Sequence, residues 1–330
     1  MTKPFTRIFV GINLLFASIA AADDIAAKIA AAKGTYDGAD YVVVLHANDI
    51  TVADSGIGTN DCTRVVKVLT DAGIKSQSVQ HWSFDPTTNT LELKSLKIHR
   101  AAGPVETIDV KRAVTQPESA WGIFWGSHET LIEVPGLKVG DAVEMHSVKT
   151  GSNTAYLGGE GGACVQPPMP GHWYDVVNWQ ESVPVIERRY TVRISRNKPL
   201  QYEIVNGTLA SSVKFDGDQA IYTFEKKDIP PFKHEPHMVS GSDVMCKLVL
   251  ATLNDWHAKA RWFYEANEPS FKKDEAISAK VRELLGEPGS SGLSDEEKIA
   301  KLNHWVAENV RYVGTSRGAH EGYTTHPASE

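Results

Sequence analysis

Four features of this chain could do chemistry, and each needs a particular frame to do it. Cys164, His172 and Asp175 are of the types that make a thiol nucleophile, a base and an orienting carboxylate. His172 and Asp175 fall in a Pro/Gly/Tyr turn segment, however, and nothing in the spacing sets their mutual geometry. His234-Glu235-Pro236-His237 offers two imidazoles and a carboxylate. A helical zinc motif would place both histidines on one face, and Pro236 forbids that helix. The run predicts an extended connector, and no metal site is assigned. Tyr156–Pro168 carries four glycines but lacks a GK[ST] and the helix that would aim backbone amides at a phosphate. It predicts a mobile loop between strands, and no cofactor site is assigned. Trp121-Gly122-Ile123-Phe124-Trp125 precedes a Gly-Ser-His turn. Trp121 and Trp125 are the candidate exposed aromatic patch, with sugar stacking as the chemistry it would serve.

The elements that must position these residues read mainly as strands. Asp23–Lys33 predicts a short helix with acids at its positive end. From there to about residue 250 the pattern is β. Tyr41–His46 and Ile50–Asp54 suggest a hairpin around Ala47-Asn48-Asp49. Arg64–Thr70 and Ser76–Phe84 flank an Asp71-Ala72-Gly73 turn. Thr90–His99 alternates apolar and polar with period two, as a half-buried strand does. Further strands are expected over Glu106–Val114, Thr130–Val134, Ala142–Val148, Ile186–Ser195, Leu200–Val205 and Ala220–Phe224. Asn206-Gly207 reads as a hairpin turn before it reads as a glycosylation sequon. Asp228–Pro236, with three prolines, predicts an extended connector. One last strand is expected over Met245–Leu253. Helices are then expected over Asp255–Ala266, Asp274–Leu285 and Asp295–Val310, the last opening with a Ser294-x-x-Glu297 capping box. The expected fold is thus mainly β, a large antiparallel β-sandwich followed by a small α-helical segment.

Composition bounds the function. The 330 residues are 42% apolar and 23% charged with a formal charge of −7, which excludes disorder and argues against a nucleic-acid partner. No apolar run reaches the length of a membrane span. Cys62, Cys164 and Cys246 are odd in number and lack zinc-finger spacing. Lys3 and Arg7, the apolar stretch Ile8–Ile19 and Ala20-Ala21-Ala22 have the order of a secretory signal. Residues 1–22 are therefore expected to be removed, leaving an exported protein, periplasmic or extracellular, of formal charge −9.

The strongest sequence signal lies at the other end. Asn254 onward (NDWHAKARWFYE, then DEEKIAKLNHWVAENVRYVGTSRGAHEGYTTHPASE) resembles the start of a bacterial transglutaminase-like domain. Gly38–Thr51, Asp175–Val192 and Ile229–Met238 are similar to the β-rich family DUF3857, which often precedes such domains. The resemblance implies residues 23–250 as a DUF3857-like β-sandwich and 251–330 as the helical N-terminal part of a papain-like cysteine domain. It also implies a Cys-His-Asp triad for peptide or acyl-transfer chemistry. In that family the Gly-Asp-Cys segment follows the Pro-Ala-x-Glu element, and here the sequence stops at Glu330. No triad member is carried over, and the chain as given is expected to be truncated and catalytically silent. Tyr312, His320, Tyr323 and His326 are expected along the cleft wall of an intact domain. The expected role is scaffolding or presenting a protein or peptide substrate, or a cell-envelope component. The alternatives are a glycan-binding sandwich and a Cys-dependent peptidase or acyltransferase whose chain continues past Glu330.

Overall fold

A computed structural model describes residues 24–310, apart from residues 34–35, 37, 87, 119–126, 153–168 and 290–291. The strands, in chain order, are β1 (Tyr41–Val52), β2 (Gly58–Val68), β3 (Val79–Phe84), β4 (Asn89–His99), β5 (Val105–Ile108), β6 (Val114–Pro117) and β7 (His128–Glu133). They continue with β8 (Ala142–Gly151), β9 (Tyr174–Asn178), β10 (Val185–Ser195), β11 (Gln201–Val205), β12 (Ala210–Asp216), β13 (Gln219–Ile229) and β14 (Lys247–Ala251). The helices are α1 (24–31), α2 (Asp71–Gln77), α3 (Gly241–Val244), α4 (Trp256–Asn267), α5 (Glu275–Leu285) and α6 (Asp295–Asn309).

One eight-stranded sheet organises the molecule, in the order β12-β13-β10-β1-β2-β8-β4-β5. Two three-stranded sheets, β3-β7-β6 and β11-β14-β9, complete the β-structure of the described residues. The large sheet's Val43, Val66, Val143, Val192 and Phe224 share one buried cluster with Ile132 near β3 and with Val177, Leu248 and Leu250 of the other small sheet. Both small sheets thus pack on the same face of the large one, which is the two-layer arrangement expected of sheets with an apolar side. The opposite face is covered by α1, whose Ile25 and Ile29 pack on Val42, Val44, Val65 and Ala142. Lys67 Nζ donates to the carbonyls of Ile29 and Ala32 and so closes the C-terminal end of α1.

Several expectations need correction. The large sheet is mixed rather than wholly antiparallel, because β1 runs parallel to β10. A parallel pair needs a long crossover, and the more than one hundred residues between these two strands provide it. The expected hairpin at Ala47-Asn48-Asp49 does not form. β1 runs through those residues and turns only after Val52, pairing with β2 from Tyr41↔Val68 to Val52↔Gly58. The Asp71-Ala72-Gly73 turn is the first turn of α2, where the Thr70 side chain accepts from the Gly73 amide. Glu106–Val114 is broken into β5, a 3₁₀ turn at Val110–Arg112, and the start of β6. Asn206 does adopt a left-handed conformation (φ 57°), but it links two sheets instead of closing a hairpin. β9 and β12 were not anticipated. β12 is exposed at every position, so it has no alternation to reveal it.

The C-terminal helices follow their sequence signals closely. Asp255, Asp274 and Ser294 each accept a hydrogen bond from a backbone amide as N-caps, and the Ser294–Glu297 box closes in both directions. α5 packs on α6, with Lys280 over the Trp305 ring at 5.3 Å.

Candidate functional site

β1 carries a register irregularity between Val43 and Leu45. This irregularity shifts the phase of the strand, so that His46 and Asn48 join Ile50 on the face that carries the main core. Neighbouring strands supply matching polar positions. His46 is in register with Arg188 of β10 and with Arg64 of β2, and Asn48 is in register with Cys62. One strand further on, Ser147 opposes Cys62 and Lys149 opposes Asn60. A polar island therefore interrupts the apolar face across β10, β1, β2 and β8.

Glu181, on the segment after β9, neutralises part of this island. Arg64 donates to both of its oxygens, at 2.8 and 2.7 Å, in a two-point fork. His46 Nδ1 lies 3.1 Å from Oε1. Arg188 reaches the same oxygen only at 3.8 Å, and its guanidinium stands 5.6 Å from the Trp179 ring centre. Two buried donors in this neighbourhood, Arg188 Nε and Trp179 Nε1, have no acceptor among the described residues. One carboxylate thus faces two guanidinium groups.

The electrostatics follow from burial. Desolvation would raise the Glu181 carboxyl, but the hydrogen bonds from Arg64 and His46 outweigh it and hold the group well below the usual carboxylate range. Burial pulls His46 down to about 4; Glu181 opposes the shift, while Arg188 and Arg64 add to it. The imidazole is neutral at physiological pH. Burial likewise pushes the Cys62 thiol up to about 11, although Arg64 and Arg188 act against it. Desolvation also lowers Arg188 and Lys149.

A cavity of about 370 Å³ opens between this island and β3. His46, Asn60, Cys62, Arg64, Ser147 and Lys149 line its sheet side. Trp82, Leu91 and Met145 give it apolar wall. The arrangement suits binding better than covalent chemistry. A thiol at about 11 is protonated, and a nucleophilic cysteine needs the opposite shift. Glu181 is committed to Arg64 and cannot act as a free base.

The residues singled out from sequence fall elsewhere. Trp121, Trp125, Cys164, Tyr312, His320, Tyr323 and His326 lie outside the described residues, as do the Gly-rich run up to Pro168 and the signal segment 1–22. Asp175 accepts a short hydrogen bond from the Tyr190 hydroxyl, and His172 Nδ1 is buried without a partner among the described residues. His234 and His237 sit in irregular chain, with His234 edge-on to Phe232 at 4.8 Å. Cys246 is buried beside Gly207. The sequence reading missed His46, Arg64, Lys149, Glu181 and Arg188. A signal for two of them, Arg64 and Lys149, exists: Asn60, Cys62 and Arg64 recur with period two, as do Ser147 and Lys149, on strands whose other inward positions are mostly apolar.

Comparison with known proteins agrees with this architecture. A solved structure from Parabacteroides distasonis, described as a "putative protease", superposes with a TM-score of 0.67 at 13% identity, covering 88% of this chain. The present chain spans 54% of that protein's length. An M1 zinc metallopeptidase from Deinococcus radiodurans aligns far more loosely, with a TM-score of 0.33 at 11% identity over 65% of this chain and 43% of its own. No curated protein matches in sequence. Residues 54–233 match DUF3857, "Domain of Unknown Function with solved-structure structure", and the match does not extend onto α4–α6. That span takes in β2 to β13 with Arg64, Lys149, Glu181 and Arg188, and more than half of the chain; the protein belongs to the DUF3857 family.

Proposed function

We propose that this chain is an exported, non-catalytic β-module that presents a protein or peptide substrate, with residues 251–330 forming the opening helices of a transglutaminase-like unit. The single observation that carries the non-catalytic reading is the state of the cavity. Its thiol is held protonated at about 11, and the nearest carboxylate, Glu181 behind the cavity wall, is locked in a two-point ion pair with Arg64. Such a site offers hydrogen-bond donors and apolar wall, which are the features of a binding pocket. The choice of a peptide is supported by the Parabacteroides distasonis protein, whose description is of a protease. Export is supported by the basic, apolar and small-residue order of residues 1–22.

The test uses the full chain. Fluorescein-labelled peptides from a casein digest are titrated with it and followed by anisotropy, beside parallel assays for peptide cleavage and cross-linking. Saturable binding without turnover is expected. Turnover that disappears on Cys62→Ser, Cys164→Ser or Cys246→Ser would overturn the non-catalytic reading. Export is checked by N-terminal sequencing of the protein from the periplasmic fraction, with Asp23 expected as the first residue.

A further inference from the structure

The cavity beside β3 is lined by two cations, Arg64 and Lys149, and no aspartate or glutamate lines it among the described residues. The two cations are in different situations. Arg64 is fully engaged by Glu181. Lys149 is partly buried, and among the described residues its ammonium has neither a hydrogen bond nor an ion pair; it feels Asp175 and Asp85 only at longer range. Asp175 is already an acceptor for the Tyr190 hydroxyl and the Val176 amide. A buried cation without a counter-charge costs free energy, and charged side chains withdrawn from water are normally paired.

The surplus positive charge extends behind the cavity wall. Glu181 receives Arg64 and His46 at hydrogen-bond distance, which leaves Arg188, among the described residues, with one ion-pair contact of 3.8 Å and an Nε without an acceptor. His46, neutral because it is buried, adds no charge of either sign. The floor of the cavity therefore has a positive potential, and Asn60 and Ser147 add neutral donors beside Lys149. Trp82, Leu91 and Met145 offer contact area to an apolar group.

We propose that this cavity binds a carboxylate attached to an apolar stem, with Lys149 as its ion-pair partner, Asn60 and Ser147 as additional donors, and Trp82, Leu91 and Met145 around the stem. Two sources share that chemistry, the C-terminal residue of a peptide and a small free acid. The peptide source rests on the function proposed above; the carboxylate site itself does not.

Calorimetry on the full chain separates these cases with three probes: N-acetyl-Leu-Leu with a free C-terminus, the same dipeptide as its C-terminal amide, and 4-methylpentanoate. The free-acid dipeptide is expected to bind at least about tenfold tighter than the amide, the size of effect a charge-assisted contact provides. Its affinity should fall with added salt. Lys149→Met should remove about a tenfold factor, and Lys149→Arg should restore most of it. Equal binding of acid and amide would overturn the carboxylate site while leaving the peptide reading intact. Binding of 4-methylpentanoate without either dipeptide would uphold the site and remove the peptide reading. Failure of all three probes to bind would overturn both. The acid-against-amide comparison is made on the unaltered protein, so it decides the question even if Lys149→Met folds poorly.

Discussion

The large sheet and the helical segment Trp256–Asn309 are both rich in apolar side chains at regular spacing, yet they dispose of them in opposite ways. In the sheet, Val43, Val66, Val143 and Val192 are completely buried, and Phe224 is nearly so. In the helical segment Trp256 is 85% exposed, Ile299 67% and Phe271 60%, and neither α5 nor α6 has a buried residue among those described. The sheet is held by tertiary burial at long sequence separation. The helices are held by local devices: caps at Asp255, Asp274 and Ser294, and pairs such as Lys298–Asp295. A regular apolar pattern thus specifies an element and its face, but not whether anything covers that face. Burial is a property of the neighbours.

This contrast can be broken most directly in the core. Phe224→Ala removes a ring buried against Tyr202, whose centroid is 4.9 Å away, and should cost about 3–5 kcal/mol in denaturant unfolding. A loss under about 1 kcal/mol would mean that the sheet is not the dominant source of stability. Glu181→Gln is expected to approach the same size, about 3–5 kcal/mol, because it leaves Arg64 and Arg188 buried without their carboxylate. In the helical segment, Glu275→Gln breaks the exposed pair with Arg282 and should leave the melting curve unchanged.

The next effect is a pH dependence confined to the sheet. His46 has its folded value lowered to about 4, against about 6.5 when unfolded, so the unfolded state binds the proton first. Stability should therefore fall as pH drops from about 6.5 to 4, by about 3 kcal/mol for this group. The loss should continue below that window as Glu181, depressed further, is protonated. His46→Gln should flatten the upper part of the curve; an unchanged slope would show that His46 is not the group responsible. Smaller still is Ser294→Ala, which opens the capping box and should cost about 1 kcal/mol, read as faster amide exchange in α6 with the sheet unaffected. Ile299→Ser is as slight as Glu275→Gln, expected to stay within about 0.5 kcal/mol because the side chain is already in solvent. A larger loss would show that this face is covered in solution.

Much of the fold was legible. Period-two alternation located β4, and β10 and β11 were placed within a residue or two. The helical boundaries were readable because capping is a short-range hydrogen bond between residues three apart. β1 was misread as two strands because Asn48 and Asp49 look like turn residues, although Asn48 is buried in a strand and hydrogen-bonded to Asn60 at 3.1 Å. α2 was taken for a turn because DAGIKSQ has too few apolar positions to show a helical period.

The candidate site was much less legible. His46 and Arg64 are 18 residues apart, and Glu181 is 117 residues beyond Arg64. Nothing local announces that β10 lies parallel beside β1, yet that pairing is what brings Arg188 level with His46.

The mainly β class and the helical segment with its caps are readable in the chain alone, because propensity, alternation and capping act over a few residues; the DUF3857 resemblance is readable there from the residue identities of particular segments. Tertiary packing sets the rest: a thiol on β2 is protonated, an imidazole on β1 is neutral, and Lys149 faces a cavity with no ion pair among the described residues. Those states depend on desolvation and on charges brought together from distant strands, and no window of the sequence contains them.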